Sequence, residues 1–83
     1  MYREIVLLRV GVDSKSRHEV TELCQLFGAE IVDVTKDTLT IELTGDEYKL
    51  ERFINLMQDY NILLLTRSGK IAVPKPSQIE DSK

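Results

Sequence analysis

His18 and Cys24 are the side chains best suited to nucleophilic or general-base chemistry, and each is the single residue of its type. A thiol–imidazole pair works only when the two groups lie within hydrogen-bond reach and a third group orients the base. The two stand six positions apart in a segment with helical periodicity, and at about 100° per residue they point well away from each other. Cys24 falls on that segment's apolar stripe, where a free cysteine packs as a small hydrophobe. His18 falls in the first turn, where a solvated imidazole is the ordinary outcome. The carboxylates Glu19, Glu22, Asp46, Glu47 and Glu51 sit near helix starts or on exposed helix faces, where negative charge is favoured. Gly11, Gly28, Gly45 and Gly69 are isolated at element boundaries and form no phosphate-cradling loop. A lone cysteine excludes an internal disulfide and a cysteine-based zinc site, and it fits a reducing compartment. No catalytic, metal or cofactor site is expected.

The elements that carry these residues follow from pattern. Residues 4–10 are rich in Ile, Val and Leu and end in Gly11 and polar turn residues, which predicts a first strand. Ser16-Arg17-His18-Glu19 has capping-box spacing, and Val20, Leu23, Cys24 and Phe27 follow at i, i+3, i+4 and i+7. A helix over 17–27 is expected, closed by Gly28. Residues 29–34 and 38–44 read as a hairpin across Thr35-Lys36-Asp37. Leu39, Ile41 and Leu43 alternate against Thr38, Thr40, Glu42 and Thr44, so one face is buried and the other wet. A second capping-box match, Thr44-Gly45-Asp46-Glu47, opens a helix whose stripe is Leu50, Phe53, Ile54, Met57 and Tyr60, stopping near Asn61. Residues 62–66 form an apolar run predicted as a fourth strand, and Ile71-Ala72-Val73 could pair as a short extra one. Pro74 and Pro76 end regular pairing, and the polar stretch 74–83 is expected to be a disordered tail.

The order βαββαβ over residues 1–73 predicts an α+β, ferredoxin-like sandwich, with a four-stranded antiparallel sheet and both helices on one face. Strand one carries Ile5 and Leu7 on its second face, and strand four is apolar on both, so part of the helix-free face is greasy. Ile5, Leu7 and Arg9 of strand one and Leu63, Leu65 and Arg67 of strand four are the interface candidates, with Lys70 beside Arg67 at the glycine turn. These residues could equally fill an intramolecular or homodimer contact.

The 83-residue length suits one domain of modest stability. Hydrophobic residues at 42% and charged residues at 30% are ordinary globular proportions. A net charge of −3 and a pI near 5.1 give no general attraction to nucleic acid or anionic lipid. The central strands offer no aromatic platform for stacking bases, so RNA is not an expected partner despite the shared topology. The apolar runs are too short to span a membrane, and no signal-type segment opens the chain.

Arg3-Glu4-Ile5-Val6-Leu7-Leu8-Arg9-Val10, Arg17-His18-Glu19-Val20 and Phe27-Gly28-Ala29-Glu30-Ile31-Val32-Asp33-Val34 occur here in a distinctive order. Thr40-Ile41-Glu42-Leu43-Thr44-Gly45-Asp46-Glu47-Tyr48-Lys49-Leu50 and Arg67-Ser68-Gly69-Lys70-Ile71-Ala72-Val73 complete the set. From Arg3 through Val73 the chain resembles the second, carboxy-terminal domain of acetolactate (acetohydroxyacid) synthase small subunits, which usually have threonine in place of Ser68. The resemblance implies an ACT-like regulatory module, cytoplasmic or in an organelle stroma or matrix. Such a module docks on the thiamine-diphosphate-dependent catalytic subunit of branched-chain amino-acid synthesis and activates it. The family's effector site belongs to a preceding ACT domain. Gly11 and Asp13 occupy the corresponding loop here without its Pro-Gly character, so no effector residue carries over. The alternative is a stand-alone ACT-like small-metabolite sensor acting as a homodimer.

Overall fold

A computed structural model of the chain describes residues 2–68 and 71–72. Among the described residues seven elements follow in order: β1 (Tyr2–Gly11), α1 (Ser14–Phe27), β2 (Glu30–Val34), β3 (Thr38–Gly45), α2 (Glu47–Met57), β4 (Asn61–Arg67) and β5 (Ile71–Ala72). The sheet runs β2-β3-β1-β4, and β5 pairs with the start of β1. All its pairings are antiparallel. This is the ferredoxin-like βαββαβ arrangement with a short extra strand. Val73 and the stretch 74–83, read from the sequence as a tail, lie outside the described residues.

Strict alternation fixes which face the helices cover. Val6, Leu8 and Val10 of β1 and Leu39, Ile41 and Leu43 of β3 are buried together with Val20 and Cys24 of α1 and Leu50, Phe53, Ile54 and Met57 of α2. Phe27 meets Phe53 edge-on, with ring centroids 5.2 Å apart, and joins the two helices above the sheet. Each fully buried side chain of this size contributes roughly 1.5 to 3 kcal/mol, which makes this single layer the source of the domain's cohesion.

Helix α1 starts one turn before the sequence-based expectation. Asp13, not Ser16, is the N-cap: its Oδ1 accepts from the Ser16 amide at 2.8 Å, and Ser16 Oγ accepts from the Asp13 amide at 2.8 Å. Ser16 plays the reciprocal role given to glutamate in the usual box. At the other end Gly28 has φ of 72°, in the left-handed region, while the Ala29 amide reaches Cys24 O and the Gly28 amide reaches Gln25 O. Those paired bonds are a Schellman closure, which turns the chain directly into β2. Helix α2 starts at Asp46, which accepts from the Lys49 amide at 2.8 Å, while Thr44 stays in β3. Tyr60 lies beyond α2, but it still packs on the core and donates its hydroxyl to Glu19 Oε1 at 3.0 Å.

Backbone and side-chain bonds from Ser16 hold the Asp13 carboxyl below its usual range. A carboxylate with a lowered folded-state pKa stabilises fully above its ordinary value of 3.8, and that contribution is lost as the pH falls through the lower folded value. Asp13→Ala is expected to lower Tm at neutral pH, with Asp13→Asn, itself a good cap, recovering much of the loss. The gap between wild type and Asp13→Ala should narrow in acid. Equal melting curves at neutral pH would show that the cap contributes nothing.

Candidate functional site

The fold keeps the reactive groups apart. Cys24 is 2% exposed in the core, and burial alone raises its thiol pKa to about 11. His18 lies on the outside of α1 with its side chain 78% exposed and its Nε2 3.6 Å from Glu22 Oε2, one turn on. Among the described residues no group of three or more His, Cys, Asp or Glu is placed to hold a metal ion, and no helix is long and apolar enough to cross a membrane.

The helix-free face of the sheet can be read directly from the register. Asp33, Thr40, Arg9 and Leu64 form one row across β2, β3, β1 and β4, and Glu30, Glu42, Leu7 and Thr66 form the next. Ile5 lies opposite Thr44 in the row beyond. Ile5 is 37% exposed and Leu64 39%. Arg9 donates from Nε to Thr40 Oγ1 at 3.0 Å and covers that hydroxyl, leaving Thr40 4% exposed. The face therefore has an acidic half on β2 and β3, and an apolar half on β1 and β4 that carries Arg9.

Strand β4 divides the remaining candidates between two surfaces. Its register against β1 shifts between Arg9 and Val10, and Leu63 is the extra residue of the bulge. Leu63 stays at the open face, its Cδ1 3.7 Å from the position of a Cβ on Gly11. Beyond the bulge the parity reverses. Leu65 lies opposite Leu8 and Arg67 opposite Val6, on the side the helices cover. Leu65 and Arg67 are thus not on the face with Ile5, Leu7 and Arg9, where unbroken alternation would put them. Leu64 takes Leu65's expected place, and an apolar run without alternation carries no signal that could have identified it. Lys70 lies outside the described residues.

Arg67 is already engaged within the chain. Its Nη2 and Nε reach the two oxygens of Glu4 at 2.7 and 3.2 Å, and its Nη1 reaches Glu51 Oε2 at 2.7 Å. The fork links β4, β1 and α2, and its bond to Glu4 is the main reason the guanidinium pKa is raised. Glu4 is 7% exposed, at the end of the inward row that continues as Val6, Leu8 and Val10.

An open groove of about 590 Å³ lies where β1 ends, lined by Gly11, Asp13, Asp37, Asp59, Tyr60 and Leu63 among others. Two of its backbone donors are in use: the Ser16 amide bonds Asp13, and the Val12 amide bonds Asp37 O at 2.8 Å. A free amino acid's carboxylate would meet three aspartates here, which disfavours it electrostatically.

Residues 3–76 match the family model described as the small subunit of acetolactate synthase. The chain belongs to that family. It is 48% identical over 71 residues to a probable acetolactate synthase small subunit of Archaeoglobus fulgidus, covering 86% of this chain and 45% of that protein. It is 37% identical over 82 residues to the small subunit of Aquifex aeolicus, covering 98% and 43%. The crystal structure of the Thermotoga maritima small subunit superposes with a TM-score of 0.81 at 33% identity, covering 88% of this chain and 45% of that one. The chain spans less than half the length of each of these relatives. As a member of the small-subunit family it takes its ferredoxin-like fold from the part of those proteins that it matches.

Two outcomes are expected for these side chains. Thiol reagents at pH 8 should modify Cys24 slowly in the folded chain and rapidly in denaturant, because the thiolate is both buried and disfavoured. Modification at the rate of a free thiol without denaturant would place Cys24 outside the core. Arg67→Ala should cost about 1 to 3 kcal/mol in urea unfolding by removing a charged partner of buried Glu4. Arg67→Lys should lose less, keeping the charge without the fork. An unchanged urea midpoint for Arg67→Ala would show that the fork adds nothing.

Proposed function

We propose that this chain is a non-catalytic regulatory module that binds the catalytic subunit of acetolactate synthase and raises its activity in branched-chain amino-acid synthesis. The observation that carries this reading is the family match, which extends through nearly the whole domain and is to a small subunit. The separation of His18 from Cys24 supports a role by contact rather than by chemistry. Thiamine diphosphate then belongs to the catalytic chain. The contact candidates are Ile5, Leu7, Arg9 and Leu63 on the open face, Leu65 and Arg67 at the β4 rim, and Lys70 after it. Such a module works in the reducing compartment of its partner, and the relative from Arabidopsis thaliana is named chloroplastic.

A stand-alone metabolite sensor is the weaker reading, because the groove at the end of β1 is lined by Asp13, Asp37 and Asp59 and the Ser16 and Val12 amides beside it are already bonded within the chain. Mixing the chain with a catalytic subunit from the same source should give co-elution and a higher rate of acetolactate formation. Failure of both, with this chain and with a longer one that includes the remaining half, would overturn the proposal. Micromolar binding of valine or isoleucine by these 83 residues in calorimetry would favour the sensor instead.

A further inference from the structure

Strand β4 is held in register by its polar end and not by its leucines. Leu64 lies on the open face at 39% exposure and Leu65 on the helix side at 40%. Exchanging those two faces would change the apolar area in water very little, and register is weakly specified where a strand's two faces are alike. What singles out the observed register lies further along. Arg67 grips Glu4 and Glu51 from the helix side. Ser68, beside Ile5, accepts the Ile5 amide on Oγ at 2.8 Å, and its own amide reaches Ile5 O at 2.9 Å.

A second register is available one residue away. If the extra residue at Leu63 is drawn into the ladder, the pairing of Gly11 with Asn61 and Val10 with Ile62 simply continues. Leu63 then falls opposite Arg9, Leu65 opposite Leu7 and Arg67 opposite Ile5. The edge already carries an irregularity further on, since β1 steps three residues from Val6 to Arg3 while the facing strand steps four from Arg67 to Ile71. The bulge can pass to that point and leave the pairing of β5 in place. Glu4 then faces Ser68, whose hydroxyl is able to donate to it in place of the guanidinium.

We propose that β4 is a register switch with two states one residue apart. The observed state is locked by the Arg67 fork and the Ser68 clamp. The second brings Leu63, Leu65 and Arg67 onto the open face beside Arg9, Leu7 and Ile5. Only the second state presents these side chains together, so contact made on that face draws the strand into it by the difference in contact. The proposal goes beyond the regulatory reading, and its test needs no catalytic subunit.

Disulfide trapping across the ladder tells the two registers apart, because a disulfide needs Cα atoms within about 7 Å and Cβ atoms on the same face. Three double-cysteine variants share Leu7→Cys. Thr66→Cys completes the pair aligned in the observed register, Leu65→Cys the pair aligned only in the second, and Leu64→Cys a pair aligned in neither. Cys24 is buried in the core and does not compete. With the lock intact, the pair at Thr66 should close fast and the pair at Leu65 slowly. Adding Arg67→Ala should speed closure at Leu65 at least about tenfold, with the pair at Leu64 still slow. Glu51→Gln loosens the fork but leaves buried Glu4 its partner, so it should speed closure by a smaller factor. That variant keeps the test standing if Arg67→Ala folds poorly. Closure at Leu65 that is no faster in either variant would overturn the proposal. An equal rise at Leu64 would overturn it too, since it marks fraying of the edge and not a slip of one residue.

Discussion

Strand β1 pairs with β3 from Glu4 to Gly11 and with β4 from Val6 to Gly11, and its pleat dictates where neighbouring side chains can go. Glu4, Val6, Leu8 and Val10 point to the helices, and Ile5, Leu7 and Arg9 point away. An antiparallel sheet with one solvated face normally alternates apolar with polar on its central strands. The inward row follows that rule, and β3 follows it on both faces, with Leu39, Ile41 and Leu43 within and Thr38, Thr40 and Glu42 outside. The outward row of β1 does not. Two adjacent outward leucine-type positions on the strand that organises the sheet are hard to explain by folding alone, since the core is complete without them.

That difference explains what is legible in the sequence. Helix stripes, the alternating hairpin strand and the βαββαβ order depend on periodicity, and periodicity is local. The start of α1 differs from its expected place because two overlapping capping arrangements begin at Asp13 and Ser16, and the aspartate with a reciprocal serine prevails. Strand β4 exposes a deeper limit. Residues 62–65 are all apolar, so no alternation marks either face, and the single extra residue at Leu63 reverses the parity of the rest of the strand. Sequence pattern therefore puts Ile5, Leu7, Arg9 and Leu63 correctly on the open face, whereas it assigns Leu65 and Arg67 to the wrong side. Only the pairing partner across the ladder resolves such a run.

The reversal also accounts for a carboxylate in the inward row. With Arg67 turned to the helix side, Glu4 faces a guanidinium that can grip both its oxygens, and Glu51 on α2 completes the pairing. A buried carboxylate without such a partner would be costly. The bulge, the arginine and the two glutamates are one device: it closes the end of the sandwich where the apolar row stops, and it ties the edge strand β4 to α2. Charge at the β4 rim thus serves the fold first, and any role in contact must share the guanidinium with Glu4 and Glu51.

A module of this kind can change another chain's activity only through differential contact, since a ligand or partner shifts an equilibrium by no more than its preference between two states. The helix-covered core offers little freedom for such a preference, being close-packed and capped at its helix starts. The open face differs in having a buried threonine hydroxyl held under the Arg9 guanidinium, an apolar row and an acidic half, all on one sheet. Whichever chain lies on that face meets a surface whose geometry is set by β1 and whose sign changes from one edge to the other. Orientation is then fixed by charge, and contact area by the two apolar strands. Specificity that arises this way costs the core nothing, which is why an outward row so poorly suited to water is compatible with a stable fold.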